Sequence, residues 1–300
     1  MQTEWVKICP VCKGTVFETV MQCTDHTYSH QPFVLQQCPS CQLLLTNPRP
    51  GPNAIGGFYQ SDEYISHNRK ARSFFDWAYL KARNHTLQWK HKLIASRKAT
   101  GAILDYGCGT GEFIHYMAHK DWGAYAVEPS GLARGKARQL AAGKPLPIYE
   151  SLEGLGGKKF DVITLWHVLE HVPHPGQLLA TLKAKLNEGG LVFVAVPNHE
   201  SYDARHYKQH WAAYDVPRHF WHFAQANMVQ LLQHNGLAHL ETIPMKLDAY
   251  YVSLLSEKYK NNLHHNLATP FMAMRTAWKS NAEARKTSNY SSLTYIAGHA

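Results

Sequence analysis

Ile103-Leu104-Asp105-Tyr106-Gly107-Cys108-Gly109-Thr110-Gly111 is an apolar run that ends in an acid and continues as three glycines at alternate positions. Glu112-Phe113-Ile114 then opens a helical pattern. Such a stretch turns a strand abruptly into a helix. The bare backbone of the turn lets a ligand approach the helix's unpaired N–H groups. A glycine-rich turn alone has a bland reading as a tight loop, so the flanking sequence has to decide what it is for.

Working outward, short apolar runs alternate with helical periodicity. The pattern predicts strands at 103–106, 124–128, 148–149, 160–166 and 191–196, with helices at 112–120, 132–142 and 177–186 between them. This alternation implies an α/β fold with a parallel sheet covered on both faces, binding its ligand at the carboxyl ends of the strands. An amphipathic helix at 224–236 and a strand at 240–243 follow. Residues 290–297 have strand composition and are expected to form the last strand, reached through a helical insertion. The expected divisions are a four-cysteine module over 1–50, a helical lid or linker over 51–99, a core over 100–245, and the insertion with the last strand over 246–300.

The chain has 300 residues, 45% hydrophobic, with a formal charge of +9 and a pI near 9.2. No uncharged apolar run reaches the ~18 residues a membrane helix needs, and the N-terminus lacks a signal peptide's apolar stretch. A cytoplasmic protein without a membrane partner is expected. The basic residues are scattered rather than gathered in one tract, so nucleic acid is an open but unfavoured partner. Nothing in the sequence sets the oligomeric state.

Of six cysteines, four fall in two knuckles, Cys9-Pro-Val-Cys12 and Cys38-Pro-Ser-Cys41. Each C-x-x-C turn can aim two thiolates at one ion, and two such turns complete a tetrahedral structural zinc site. Cys23 and Cys108 have no partner motif and read as small packing residues. After Asn47-Pro48-Arg49-Pro50-Gly51-Pro52 breaks regular structure, an aromatic-rich stretch runs from Phe58 to Trp89 and reads as packing surface.

Glu128 ends the second strand about twenty positions after Gly107, where an acid can accept from both hydroxyls of a ribose. The third glycine falls one place early for a dinucleotide fingerprint, because Glu112 follows Gly111. A cofactor without a pyrophosphate, such as S-adenosylmethionine, suits that spacing better. Asp105 is placed to influence its ammonium, or else to cap the loop.

The stretch from Ile103 to Gly111, Ala126-Val127-Glu128-Pro129-Ser130, the run from Phe160 to Val172 and Leu186-Asn187-Glu188-Gly189-Gly190-Leu191 together resemble the ordered motifs of class I S-adenosylmethionine-dependent methyltransferases. The cysteine knuckles followed by Thr46-Asn47-Pro48-Arg49-Pro50 and by the segment from Phe58 to Tyr64 resemble a bacterial subgroup with a zinc-ribbon-like leader. The resemblance implies a Rossmann-like seven-stranded sheet whose last strand, 290–297, is antiparallel, with a small N-terminal zinc ribbon. It implies that Gly107, Gly109 and Gly111 line the methionine portion and that Glu128 holds the ribose. It also implies that Ser151 and Leu152 flank the adenine, that His167 lies near cofactor and substrate, and that Tyr64 on a lid helix is a cofactor contact.

Residues 198–223 are dense in His, Tyr and Trp, and Asp215-Val216-Pro217-Arg218-His219-Phe220 resembles a segment that lies beside the acceptor pocket in this subgroup. His219 is the candidate general base, with His171 and Asp215 behind it. The expected activity is methylation of a small-molecule or glycan-like acceptor, at oxygen. The rivals are an RNA methyltransferase and a non-catalytic S-adenosylmethionine-binding scaffold. Against RNA, Trp166-His167-Val168-Leu169 stands where base-amine methylases place an N-P-P-Y-like tetrapeptide.

Overall fold

The structure, a computed structural model, describes residues 2–59, 74–140, 146–261 and 268–300, with the backbone alone for 74–80. Tyr64 lies outside the described residues. The N-terminal part contains β1 (Thr3–Glu4), β2 (Glu18–Thr24), β3 (Pro32–Gln37), β4 (Leu44–Thr46), β5 (Arg49–Pro50) and the short α1 (Pro52–Ile55). A long helix, α2 (Phe74–Ala95), precedes the core. The core then alternates β6 (Ala102–Tyr106), α3 (Glu112–Ala118), β7 (Gly123–Val127), α4 (Gly131–Leu140), β8 (Ile148–Tyr149), β9 (Phe160–Trp166), α5 (Pro175–Ala184) and β10 (Leu186–Pro197). After it come α6 (Tyr202–Tyr207), β11 (Trp221–His222), α7 (Gln225–His234), β12 (Leu237–Pro244), α8 (Asp248–Lys260), α9 (Thr269–Thr287) and β13 (Ser292–His299).

The large sheet has seven strands in the order β12-β13-β10-β9-β6-β7-β8. β8, β7, β6, β9 and β10 run parallel, and β13 enters antiparallel between β10 and β12. The strand order reverses between β6 and β9, which opens a crevice at their carboxyl ends. Leu104, Ile163, Leu165, Val192 and Val194 pack one face, and Ile103, Ala124, Val162, Phe193 and Ile296 pack the other. That two-sided burial explains why these strands read as continuous apolar runs rather than alternating ones. At up to roughly 1.5–3 kcal/mol for each fully buried aliphatic side chain, these two layers are the main stabilising term. No helix among the described residues is long and apolar enough to cross a membrane.

The N-terminal strands differ from a self-contained ribbon. β2 begins at Glu18, after a first knuckle turn that runs on to Gly14, where the Cys9 N–H donates to the Gly14 carbonyl at 2.8 Å. The sheet β2-β3-β4 is completed by β11, which comes from the histidine-rich segment more than 170 positions later, with Trp221 opposite Leu45 and His222 opposite Leu44. The Thr46 hydroxyl donates to the His219 carbonyl at 2.7 Å, and the Thr46 N–H to the Phe220 carbonyl at 3.0 Å.

One buried cation fastens this junction. The Arg218 side chain is 1% exposed and its guanidinium donates to Asp25 at 2.9 Å and to Asp215 at 2.7 Å. It also donates to the Phe58 carbonyl at 3.3 Å. Burial alone would raise the Asp25 pKa, but the Ser29 backbone N–H and the Arg218 charge overcome it and hold the carboxyl at about 2. Removing one member of such a cluster leaves an uncompensated buried charge, which costs about 3–5 kcal/mol. Arg218→Met is therefore expected to lower unfolding free energy by that order in a urea titration. The depressed Asp25 pKa gives the sign of the acid response: its contribution is complete above the usual carboxylate value and is lost as pH falls through about 2. The acid-unfolding limb between about pH 4 and 2 should flatten in Asp25→Asn.

Candidate functional site

The four knuckle cysteines converge. The Cys9 and Cys41 sulfurs are 3.5 Å apart, those of Cys12 and Cys38 are 3.4 Å apart, and all four lie within 4.8 Å of one another. Zinc–sulfur bonds of about 2.3 Å in a tetrahedron require sulfur edges of roughly 3.8 Å, so the set fits one ion. Each knuckle places the residue after its second cysteine in the left-handed region, Lys13 at φ 64° and Gln42 at φ 62°. The two turns repeat one hydrogen-bond pattern, with the Lys13 N–H donating to the Cys9 carbonyl and the Gln42 N–H to that of Cys38.

The glycine turn leaves β6 at the crevice. Gly107 has φ +73°, and a Cβ there would sit 2.6 Å from a Val168 methyl. Gly111 has φ +82°, and its Cβ would meet that of Ala137 at 2.8 Å. Side chains at either position would push the turn off the core. At Gly109 the added atom meets nothing within 4 Å, so this glycine faces open space. The Gly109 N–H donates to Glu128 Oε2 and the Ser130 N–H to Oε1, both at 2.8 Å. Glu128 is thereby aimed along the same opening, with carboxylate lone pairs to spare. Ser151 and Leu152 sit where the loop after β8 begins a 3-10 turn, next to the strand that pairs with β7.

Asp105 lies beneath the turn, 3% exposed, and accepts from the Thr164 hydroxyl at 2.7 Å. Burial, partly offset by Thr164 and Lys90, pushes its carboxyl up to about 7. Lys90 is a residue that the sequence pattern did not single out. It projects from α2 so that its ammonium lies 4.3 Å from the Trp166 ring centre and 5.6 Å from that of Phe113. Burial lowers its pKa to about 8, with Asp105, Asp248 and Glu112 pulling the other way.

A second cluster forms at the end of β9. Glu170, His171 and His219 bring ligand atoms within 4.8 Å of one another. Glu170 is 1% exposed, and neither carboxylate oxygen has a hydrogen-bond partner; His167 Nδ1 stands 3.4 Å from Oε1 as an ion pair without hydrogen-bond geometry. His219 Nδ1 lies 2.8 Å from the Ala213 carbonyl. A carbonyl only accepts, so Nδ1 carries the proton and Nε2 presents a lone pair. His171 Nδ1, 3.0 Å from the Arg218 carbonyl and from the Tyr59 hydroxyl, is fixed the same way. Burial and the neighbouring His219 push His171 down to about 4, so it is neutral at physiological pH. Asp215 Oδ2 is 3.9 Å from His219 Nε2, but Asp215 is mainly engaged by Arg218.

His167, with φ 57°, is engaged elsewhere: its Nε2 is 3.0 Å from Asp248 Oδ2 on α8. Burial opposes charge there, yet the bond to Asp248 and the neighbouring Glu170 charge raise its pKa to about 9. It is an imidazolium that ties the insertion to the end of β9. The structure thus gathers Asp105, the three glycines and Glu128 on one side of the crevice, and Glu170, His171, Asp215 and His219 on the other.

Residues 75–242 match a family described as a methyltransferase domain. The ubiquinone biosynthesis O-methyltransferase of Caulobacter vibrioides is 35% identical over 102 residues, covering 32% of this chain and 40% of the relative. The Azotobacter vinelandii protein of the same name is 30% identical over 115 residues, covering 36% and 48%. The chain thus spans less than half the length of these curated relatives. Among solved structures, the 1,6-didemethyltoxoflavin-N1-methyltransferase of Burkholderia thailandensis superposes with a TM-score of 0.50 at 14% identity, covering 88% of this chain and 98% of that one. It shares the fold.

Cys12→Ser removes one of the four thiolates at the ribbon. Bound zinc, measured by mass spectrometry of the native protein, should drop well below one per chain, and the melting temperature should fall by more than about 5 °C.

Proposed function

The chain belongs to the methyltransferase domain family, and from that premise we propose that it transfers a methyl group from S-adenosylmethionine to a hydroxyl of a small-molecule or glycan-like acceptor. The observation that carries this reading is the pairing, across one crevice, of the Glu128-Gly109 opening with the bare Nε2 of His219. The O-methyltransferase names of the curated relatives support oxygen as the acceptor atom.

Glu128 would accept from the ribose hydroxyls, Ser151 and Leu152 would border the adenine, and Asp105 would face the ammonium. Lys90, held over two aromatic rings, is suited to the methionine carboxylate. When bound, S-adenosylmethionine supplies an electrophilic methyl on a sulfonium. The chain's own residues do the rest. His219 Nε2 takes the acceptor's proton, the Ala213 carbonyl keeps the ring in the right tautomer, and Glu170 stabilises the imidazolium that forms. His171 stays neutral and packs edge-on to His219 at 4.5 Å between ring centres. Alignment of acceptor and methyl in a site shielded from water supplies the larger share of rate, and a positioned base typically adds about 10²–10⁴-fold.

Turnover tests the reading. Mass spectrometry of candidate acceptors incubated with the protein and S-adenosylmethionine should show a gain of one methyl, and cofactor binding without product would favour a scaffold. His219→Ala should lower kcat by about 10²-fold or more while the Kd for S-adenosylhomocysteine changes little; normal turnover would remove His219 as base.

Affinity for S-adenosylhomocysteine should rise as pH climbs through about 7, because a proton on Asp105 competes with the ligand's ammonium, and Asp105→Asn should flatten that dependence. Lys90→Met should weaken S-adenosylhomocysteine at least about tenfold yet leave methylthioadenosine, which lacks the amino-acid portion, unaffected.

A further inference from the structure

The insertion between β12 and β13 carries a surface that methyl transfer does not use. The inner side of α9 is made of Ala273, Thr276, Ala277, Ser280 and Ala284, all buried, and the Ser280 hydroxyl donates to Asp203 at 2.7 Å. These small residues let α9 lie close against the fold. Its opposite side carries Phe271, Met274 and Trp278 at spacings of three and four, so they share one stripe. They are 70%, 62% and 63% exposed.

Arg275, Lys279, Arg285 and Lys286 are exposed beside that stripe. The one acid of α9, Glu283, is paired with Arg205. The outer side therefore combines three large apolar side chains with four cations and no free carboxylate. A helix of this pattern lies in the plane of a membrane surface, its apolar stripe at the acyl boundary and its cations among anionic headgroups. With 19 residues, α9 offers a contact about 28 Å long. That no helix among the described residues spans a bilayer bears on crossing one and leaves surface docking open.

Two other occupants fit less well. A two-fold contact between copies would set the same four cations against one another. A nucleic acid would meet the cations but leave Phe271, Met274 and Trp278 in water. We infer that the outer face of α9 docks the protein on an anionic lipid bilayer surface through Phe271, Met274 and Trp278, with Arg275, Lys279, Arg285 and Lys286 against the headgroups. The neighbouring helix α8 holds His167 at the catalytic crevice through Asp248, so docking brings the insertion that borders the crevice to the lipid surface. This placement suits an acceptor whose hydroxyl is presented at a bilayer. The docking itself stands whether or not the acceptor is lipid-linked.

Vesicle flotation of the full chain tests it, using phosphatidylcholine vesicles with and without phosphatidylglycerol. The protein should float with the anionic vesicles, stay behind with the neutral ones, and be released by salt. Two double variants read the apolar and the charged halves separately: Phe271→Ser with Trp278→Ser, and Arg275→Glu with Lys279→Glu. Each should lose at least about tenfold in apparent affinity, with unchanged circular dichroism and S-adenosylhomocysteine binding. Failure of the unaltered protein to float with anionic vesicles overturns the inference, as does flotation of either variant equal to that of the unaltered protein. A solution dimer that Phe271→Ser with Trp278→Ser dissociates would assign the face to a second copy. RNA binding that this variant retains, without vesicle binding, would assign it to a polyanion.

Discussion

A full positive charge with 1% of its side chain exposed is costly to bury, and Arg218 meets that cost with two carboxylates, one 193 positions away and one in its own turn. Asp25 comes from the cysteine-rich leader and Asp215 from the segment that carries His219. Arg218's own carbonyl receives the Nδ1 proton of His171, so the charge cluster and the imidazole orientation share one residue. Thr46 and the β4–β11 pairing add backbone bonds across the same seam. The four-cysteine leader therefore acts as the back wall of the His219 side of the crevice. Its cysteine cluster, far from the glycine turn in sequence, bears on how His219 is held.

The donor side rests on a different constraint. Glu128 and Asp105 face the crevice from adjacent strands, and burial raises the pKa of both. Two carboxyls in low dielectric favour a cationic ligand, and Lys90 limits their mutual repulsion without a direct hydrogen bond. A zwitterionic amino acid joined to a ribose satisfies all three groups. On the other side the buried Glu170 carboxylate plays the matching part: it already stands 3.4 Å from the charged His167, and a charge on His219 adds to that stabilisation.

Much of this was legible in the sequence because it is local. The glycine turn, the acid just after β7 and the apolar strands announce themselves through spacing and period. The last strand could be anticipated as antiparallel because the resemblance implies it. The knuckles were legible for the same reason, each being a four-residue motif. What could not be read was set by contacts distant in sequence. Nothing around Trp221 signals that it completes a sheet begun at Glu18, and nothing near Asp25 marks it as a partner of Arg218. Lys90 looks like any helical lysine until α2 is laid over Trp166. His167 is a similar case: the motif after β9 suggests a place beside the cofactor, while its ring is engaged by Asp248 from a helix some eighty residues later.

The proposed dependence of the His219 side on metal at the four-cysteine leader is tested most directly by hydrogen–deuterium exchange with and without zinc. Stripping the metal should release protection across 213–222, where β11 and the Arg218 cluster join the leader, while 103–128 around the glycine turn stays protected. Unchanged protection at 213–222 in the zinc-free protein would show that His219 and its neighbours are held independently of the leader, and would contradict the coupling.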